Sequence, residues 1–418
     1  MKKINSICLP VFFLCLLTSV KSLAQVVNLQ PKKKLIDFGW NSPFTYDLRN
    51  NLKKYEKAPF DGVGIKLPKN VGGGNIFMVN ELKAISNDSM EVERTLTAGM
   101  KKSTVLTDNF VVIYGGSQMD WFSDAHWQIV DKQLRYAAQL AKALNCKGIL
   151  WDPEAYKPGK NPWKYAEQQG ADKISYPDYY NQVRKRGAQF IKALQEEFPG
   201  LVILSLRELS DYQHGSPFSE SIIPITNAKE AEAKLSTTWS GLHLPFTIGI
   251  LDAIEHNTIF IDGNEDAYYY TSALEFYKIR NTLKNDGRVL VPAEVHKQFA
   301  YNYTIAHAIS SDYTTGNWAN IISFPFRLSG QAKMLTIQQQ ALWFEHNAYY
   351  ALETSDQYAW LYTEKHNWWT GANIPKGFEE ALIRAKNKVT NGLPLGFNVE
   401  DMLKTAQIKA EKFQPEKK

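Results

Sequence analysis

Residues 127–152 read WQIVDKQLRYAAQLAKALNCKGILWD. Val130, Leu134, Ala137, Ala141 and Leu144 recur at spacings of four, three, four and three, which lines one face of an α-helix. The next apolar run, KGILWD (147–152), is too short for a helix and ends in an acid, as a buried parallel strand would. NFVVIYG (109–115) lies just upstream and has the same character. Together they predict a strand, a helix and a second strand.

The rhythm extends in both directions. KLIDFGW (34–40) and GVGIKL (62–67) read as the first two strands. LVILSL (201–206), NTIFID (257–262) and RVLVPAE (288–294) read as the fifth, sixth and seventh. YAWLYTE (358–364) supplies the eighth, with ANIISFPF (319–326) as its alternative. Between them, YPDYYNQVRKRGAQFIKALQEEFPG (176–200) opens with Pro177 in a first turn and stops at Pro199-Gly200. Its buried stripe is Val183, Phe190, Ile191, Leu194 and Phe198, and PKGFEEALIRAKNK (375–388) closes the series. No glycine-rich dinucleotide fingerprint is present, and Gly72-Gly73-Gly74 reads as a loop. The predicted class is α/β, a single (β/α)₈ TIM barrel with insertions in its βα loops, over 25–405. A doubly wound open sheet is the structural alternative.

Met1-Lys2-Lys3, the apolar ICLPVFFLCLLTSV, and Ser22 and Ala24 before Gln25 have the layout of a secretory signal over 1–24. The apolar run is too short for a membrane anchor. The expected destination is secreted or periplasmic, with no membrane association after cleavage. Cys8 and Cys15 leave with the leader, so Cys146 alone can form no internal disulfide. Removing Lys2, Lys3 and Lys21 from a chain of net charge +5 leaves about +2, which marks no anionic partner. Residues 406–418 read as a solvated tail. A monomer is expected.

In such barrels the active site lies at the carboxyl ends of the strands. The predicted strand exits bring there Asp37 and Trp40, Lys66, Tyr114, Trp151 and Asp152 with Glu154, and Arg207 with Glu208. Asp262, Glu294 with His296, and Glu364 with His366, Trp368 and Trp369 follow. Asp152 and Glu154 would share one face if the strand continued through both. Aromatics make up 13% of the chain, with eleven Trp, and cluster in DAYYYTS, EHNAYY and EKHNWWTG. Flat aromatic faces outside a core suit sugar rings.

Converging carboxylates with aromatics point to glycoside cleavage, in which two acids flank the scissile bond. Asp152 is the first candidate, and Glu208, Glu154 and Glu294 compete to be its partner. No G-x-S-x-G elbow is present, the eight histidines are scattered, and there is no basic stripe. Those absences leave serine chemistry, a metal site and nucleic-acid binding without support, and no cofactor is expected. The expected partner is a polysaccharide or oligosaccharide. A non-catalytic glycan-binding barrel is the opposing class.

With ILWDPEAY at the fourth exit, the chain resembles secreted glycoside hydrolases of polysaccharide-degrading bacteria. Within that group it resembles retaining, endo-acting hydrolases of sulfated fucan. This resemblance implies Asp152, after Trp151, as nucleophile and Glu208, in SLRELSDY, as acid/base. Arg207, Lys66, His296 and Arg327 would then receive sulfates. The chain is also similar to hyaluronidase- and chitinase-like barrels, whose fourth strand ends in D-x-E. Asp152, Glu154, Tyr156, Lys157 and Pro158 match that pattern, which implies Glu154 as acid and Asp152 assisting attack by the substrate's own N-acetyl group. Pro153 and Leu150 depart from it.

Overall fold

The computed structural model describes residues 31–67, 76–77, 103–116, 119–155, 161–212, 228–316 and 326–412. The leader, the glycine run 72–74, Tyr156, most of the alternative eighth strand and the last six residues lie outside the described residues.

Among the described residues nine strands, all parallel, run in the order β7-β6-β5-β4-β3-β2-β1-β9-β8. They are β1 (Lys34–Gly39), β2 (Gly62–Ile65), β3 (Phe110–Tyr114), β4 (Gly148–Asp152), β5 (Val202–Ser205), β6 (Ile259–Asp262), β7 (Tyr303–Ile305), β8 (His307–Ser310) and β9 (Tyr358–Thr363). The two ends of that order, β7 and β8, are consecutive in the chain and separated by Ala306 alone. Ala306 N–H still donates to Asp262 O at 2.8 Å. The sheet therefore closes on itself as a barrel of eight strand positions, the seventh being β7 with β8.

Side-chain direction follows from the register. A Cβ built at Gly64 would fall 2.9 Å from the Phe38 ring, 3.1 Å from Val112 and 3.4 Å from Leu150, so these side chains share the barrel interior. Paired residues of parallel strands face the same way, and Val112 pairs Leu150, Leu150 pairs Leu204 and Leu204 pairs Ile261. Asp152, two residues past Leu150, points inward at the mouth. Trp151 points outward.

The helices form where the apolar stripes predict. The helix Asp124–Ala143 starts at Ser123, whose hydroxyl accepts from His126 N–H. Val130, Leu134, Ala137, Ala141 and Leu144 are all buried. The helix Tyr176–Glu197 carries Pro177 in its first turn and ends before Gly200, at φ +74°. Phe378–Thr390 closes the barrel series.

Two expectations fail. RVLVPAE (288–294) is no strand: Gly287–Leu290 and Ala293–Val295 are 3₁₀ turns on either side of Pro292, which has no N–H for a ladder. The seventh strand is YTIAHAIS (303–310), whose small and polar residues hide it from hydrophobic pattern reading. The expected tail also begins later than 406, because Glu400–Lys412 is a helix that buries Leu403, Ala406 and Ala410. Its Leu403 carbonyl accepts from Gln331 Nε2 at 2.7 Å.

Candidate active site

Pro153 stops the β4 ladder and turns the chain across the mouth. Asp152, 1% exposed, accepts the Glu154 N–H on Oδ1 at 3.0 Å. Asp152 and Glu154 are thus not successive residues of a continuing strand: the aspartate braces a turn that lifts the glutamate to the rim. Glu154, 29% exposed at its side chain, ion-pairs with Arg207 at 3.4 Å. Arg207 follows β5 and also meets Asp211 at 3.1 Å and Glu265 at 3.6 Å.

Glu265 is the residue that sequence reasoning missed. It follows β6 by three positions, in the 3₁₀ turn Glu265–Tyr269. Burial, and next the negative charge of Glu154, push its carboxyl well above the usual carboxylate range, although Arg207 opposes them. Glu265 Oε2 is buried and has no hydrogen-bond partner among the described residues. The turn is held by Asn264, which is left-handed at φ +41° and donates Nδ2–H to His307 Nδ1 at 2.9 Å and to Tyr270 Oη at 3.2 Å. Inside the mouth, Tyr268 packs on Trp360 and Tyr362, at 5.4 and 5.7 Å between ring centres. One cue was available in the sequence. Counting alternately from Ile259 and Ile261, Asp262 faces outward and the inward-turning chain begins at Gly263, just before Asn264-Glu265.

The rim on the opposite side comes from β1 and β9. Trp40 is 61% exposed and donates Nε1–H to Glu364 Oε1 at 3.2 Å, where Tyr362 OH also donates at 3.1 Å. Lys66 Nζ is drawn to Trp40 O at 2.7 Å. Tyr114 pairs with Asp152 in register. Burial, with the Asp152 charge second, raises its phenol pKa.

Other predicted site residues belong to the layer between strands and helices. Trp151 packs on Phe77, Phe190 and Phe246, with ring centres 5.1–6.4 Å away, so it is core. Glu208 is 0% exposed, accepts the Thr247 hydroxyl and lies 3.5 Å from His243 Nε2, under the helix His243–Ala253. Burial works against charging His243, yet the Glu208 carboxylate lifts its pKa above the ordinary value. Asp262 accepts from Ser210 N–H and hydroxyl, Tyr303 OH and Asn264 N–H, at 2.6–3.0 Å, and so clamps two loops together. Asp37 is buried beside Trp369, and burial pushes its carboxyl up to about 8, the nearby Trp369 indole N–H opposing.

Trp368 and Trp369 are buried against Phe344, Phe60 and Tyr55, not presented to a ligand. His366 is buried too, with Nδ1 2.8 Å from Ser311 Oγ. Glu294 and His296 stand far from the mouth because no strand ends there. They precede β7, at its amino end, Glu294 pairing with Arg184 at 3.0 Å and His296 Nε2 lying 2.8 Å from Val291 O. The side chain of Arg327 and all of Tyr156 lie outside the described residues. Among the described residues no group of three or more His, Cys, Asp or Glu side chains could hold a metal ion, and no helix is long and apolar enough to cross a membrane.

No family model matches the sequence, and no curated protein matches it. Among solved structures the chain is similar to a family 18 chitinase from Pseudoalteromonas aurantia, at 9% identity and a TM-score of 0.38, covering 84% of this chain and 100% of that one. It is similar to a family 5 glycoside hydrolase from Prevotella bryantii solved with a xyloglucan tetradecasaccharide, at 14% identity and a TM-score of 0.41, covering 83% and 88%. A broad-specificity family 5 endoglucanase from an uncultured bacterium aligns at 12% identity and a TM-score of 0.41, covering 83% and 86%. Likeness at these scores assigns neither residues nor activity to this chain.

Proposed function

We propose that the protein is a glycoside hydrolase whose reacting pair is Glu265 and Glu154, braced by Asp152 and Arg207. The observation that carries this reading is the contrast between two carboxyls sharing one guanidinium. Burial and neighbouring charge shift Glu265 toward its protonated form, while Glu154 is ion-paired and reaches the rim. Glycosidic cleavage needs that division of roles: a protonated acid for the leaving oxygen and a second carboxylate for the anomeric carbon or its water. Trp40, exposed beside Glu364, supports the reading as a face for a sugar ring.

Glu208 loses its place as acid/base in this proposal because it is fully buried under the helix His243–Ala253, with Oε2 held by Thr247 and His243. Asp152 becomes an orienting group rather than the nucleophile. Endo action with retention of configuration stays part of the proposal. It is tested by reducing-end release with mass spectrometry of the products, and by proton NMR of the first anomer formed. Loss of turnover in Glu265→Gln together with Glu154→Gln supports the assignment, and full turnover in either variant removes that residue from the mechanism.

A second reading has Glu154 as acid and Asp152 assisting attack by an N-acetyl group. The short link from Glu154 N–H to Asp152 Oδ1 favours it by fixing the two residues together. A thiazoline analogue of N-acetylglucosamine separates the readings: potent inhibition supports substrate assistance, and indifference supports direct attack. The sulfated-fucan reading is weakened, since Arg207 and Lys66 are engaged within the protein and His296 is away from the mouth.

A further inference from the structure

Among the described residues, Arg207 sits amid carboxyl groups that outnumber it. Glu154, Asp211 and Glu265 approach its guanidinium at 3.4, 3.1 and 3.6 Å, and Asp152 lies inward on the adjoining strand. The arginine side chain is only 16% exposed, so water screens these charges poorly. A sulfate or uronate reaching this arginine would have to displace a carboxylate already paired with it. It would then stand within a few ångströms of the other acids, and such like-charge juxtapositions are strongly disfavoured where solvent is excluded. A sugar hydroxyl meets the opposite situation. The ion-paired Glu154 carboxylate accepts hydrogen bonds, a protonated Glu265 can also donate one, and a sugar hydroxyl can do both; the buried Glu265 Oε2, 3.6 Å from Arg207, has no hydrogen-bond partner among the described residues.

From this charge arrangement we infer that the sugar bound against Arg207 carries no anionic group, so that the substrate is an uncharged glycan, or an uncharged stretch of a mixed one. The inference rests on the hydrolase reading and narrows its substrate class.

Paired polymers test it on the full chain. Sulfated fucan and the same fucan after chemical desulfation share linkages and differ in charge; hyaluronan and alginate extend the anionic set, and glucan, mannan, xylan and chitin the neutral one. The expected result is turnover confined to uncharged polymers, with kcat/KM at least about a hundredfold above that on any anionic one. Equal or faster cleavage of a sulfated or uronate polymer overturns the inference and leaves the hydrolase reading intact. Turnover of no polymer overturns the hydrolase reading instead. Calorimetric titration of the protein with neutral and sulfated oligosaccharides then decides the charge question, and tighter binding of the sulfated ligand overturns the inference.

Discussion

Trp151 and Asp152 are neighbours in β4, and Ile261 and Asp262 are neighbours in β6, yet the two aspartates have opposite fates. Asp152 points into the barrel mouth, where it steadies Glu154 beneath Arg207 and Glu265. Asp262 points at the helix layer and spends its oxygens on Ser210, Tyr303 and Asn264. Asp37 and Glu208 share that outer layer. Position at a strand exit does not by itself make a carboxylate reactive. Within a strand, parity decides whether a residue faces the mouth or the scaffold; beyond the last ladder residue, as at Glu208, the turn decides instead.

Breaking the inner set should abolish chemistry and leave the fold. Glu154→Gln is expected to lower kcat by roughly 10²–10⁴-fold, the usual range for a lost acid–base group, with an unchanged thermal midpoint. A variant that retains rate but melts early would place Glu154 with the scaffold.

Breaking the outer set should do the reverse. Asp262→Ala leaves Ser210 and Tyr303 without their buried acceptor and is expected to cost roughly 3 kcal/mol in urea unfolding. Unchanged stability would show that the clamp is dispensable.

Asp37 gives a pH signature of the same layer. Its folded carboxyl is raised to about 8 from an ordinary 3.8, so the protein binds this proton more tightly when folded. The associated stability is complete below about pH 4 and is lost progressively as pH rises through 8. Asp37→Asn should flatten that decline. Its gain over wild type at alkaline pH is on the order of a few kcal/mol, because a tenfold change in proton affinity is worth about 1.4 kcal/mol. Parallel stability curves for the two proteins would contradict it.

The smallest effect belongs to the rim. Trp40→Ala should raise KM by about five- to tenfold with little change in kcat, the loss of one stacking face. A large fall in kcat would instead place Trp40 among the groups that touch the transition state.

Much of this division could be read in the chain before the fold was known. The barrel was legible because apolar runs such as GILWD and VILS alternate with helices whose stripes keep a regular spacing. Strand seven was not legible: Thr304, Ala306 and Ala308 are small inward residues, and His307 is an outward polar one held by Asn264. RVLVPAE, more apolar, looked like the better strand and drew Glu294 and His296 into the site with it. Asp152, Glu154 and Arg207 could be placed at the mouth from the sequence because they stand at or just beyond genuine strand ends. Glu265 was passed over because Asp262 already ended its strand with an acid. Only the left-handed turn at Asn264 carries the next carboxylate back over the mouth.

The most direct test of this sorting compares Glu265→Gln with Glu208→Gln on one polysaccharide, measuring kcat and thermal midpoint for both. The account predicts that Glu265→Gln loses at least about a hundredfold in kcat at an unchanged midpoint, while Glu208→Gln melts earlier and keeps most of its turnover. The opposite pattern, an inactive but stable Glu208→Gln beside an active Glu265→Gln, would contradict it.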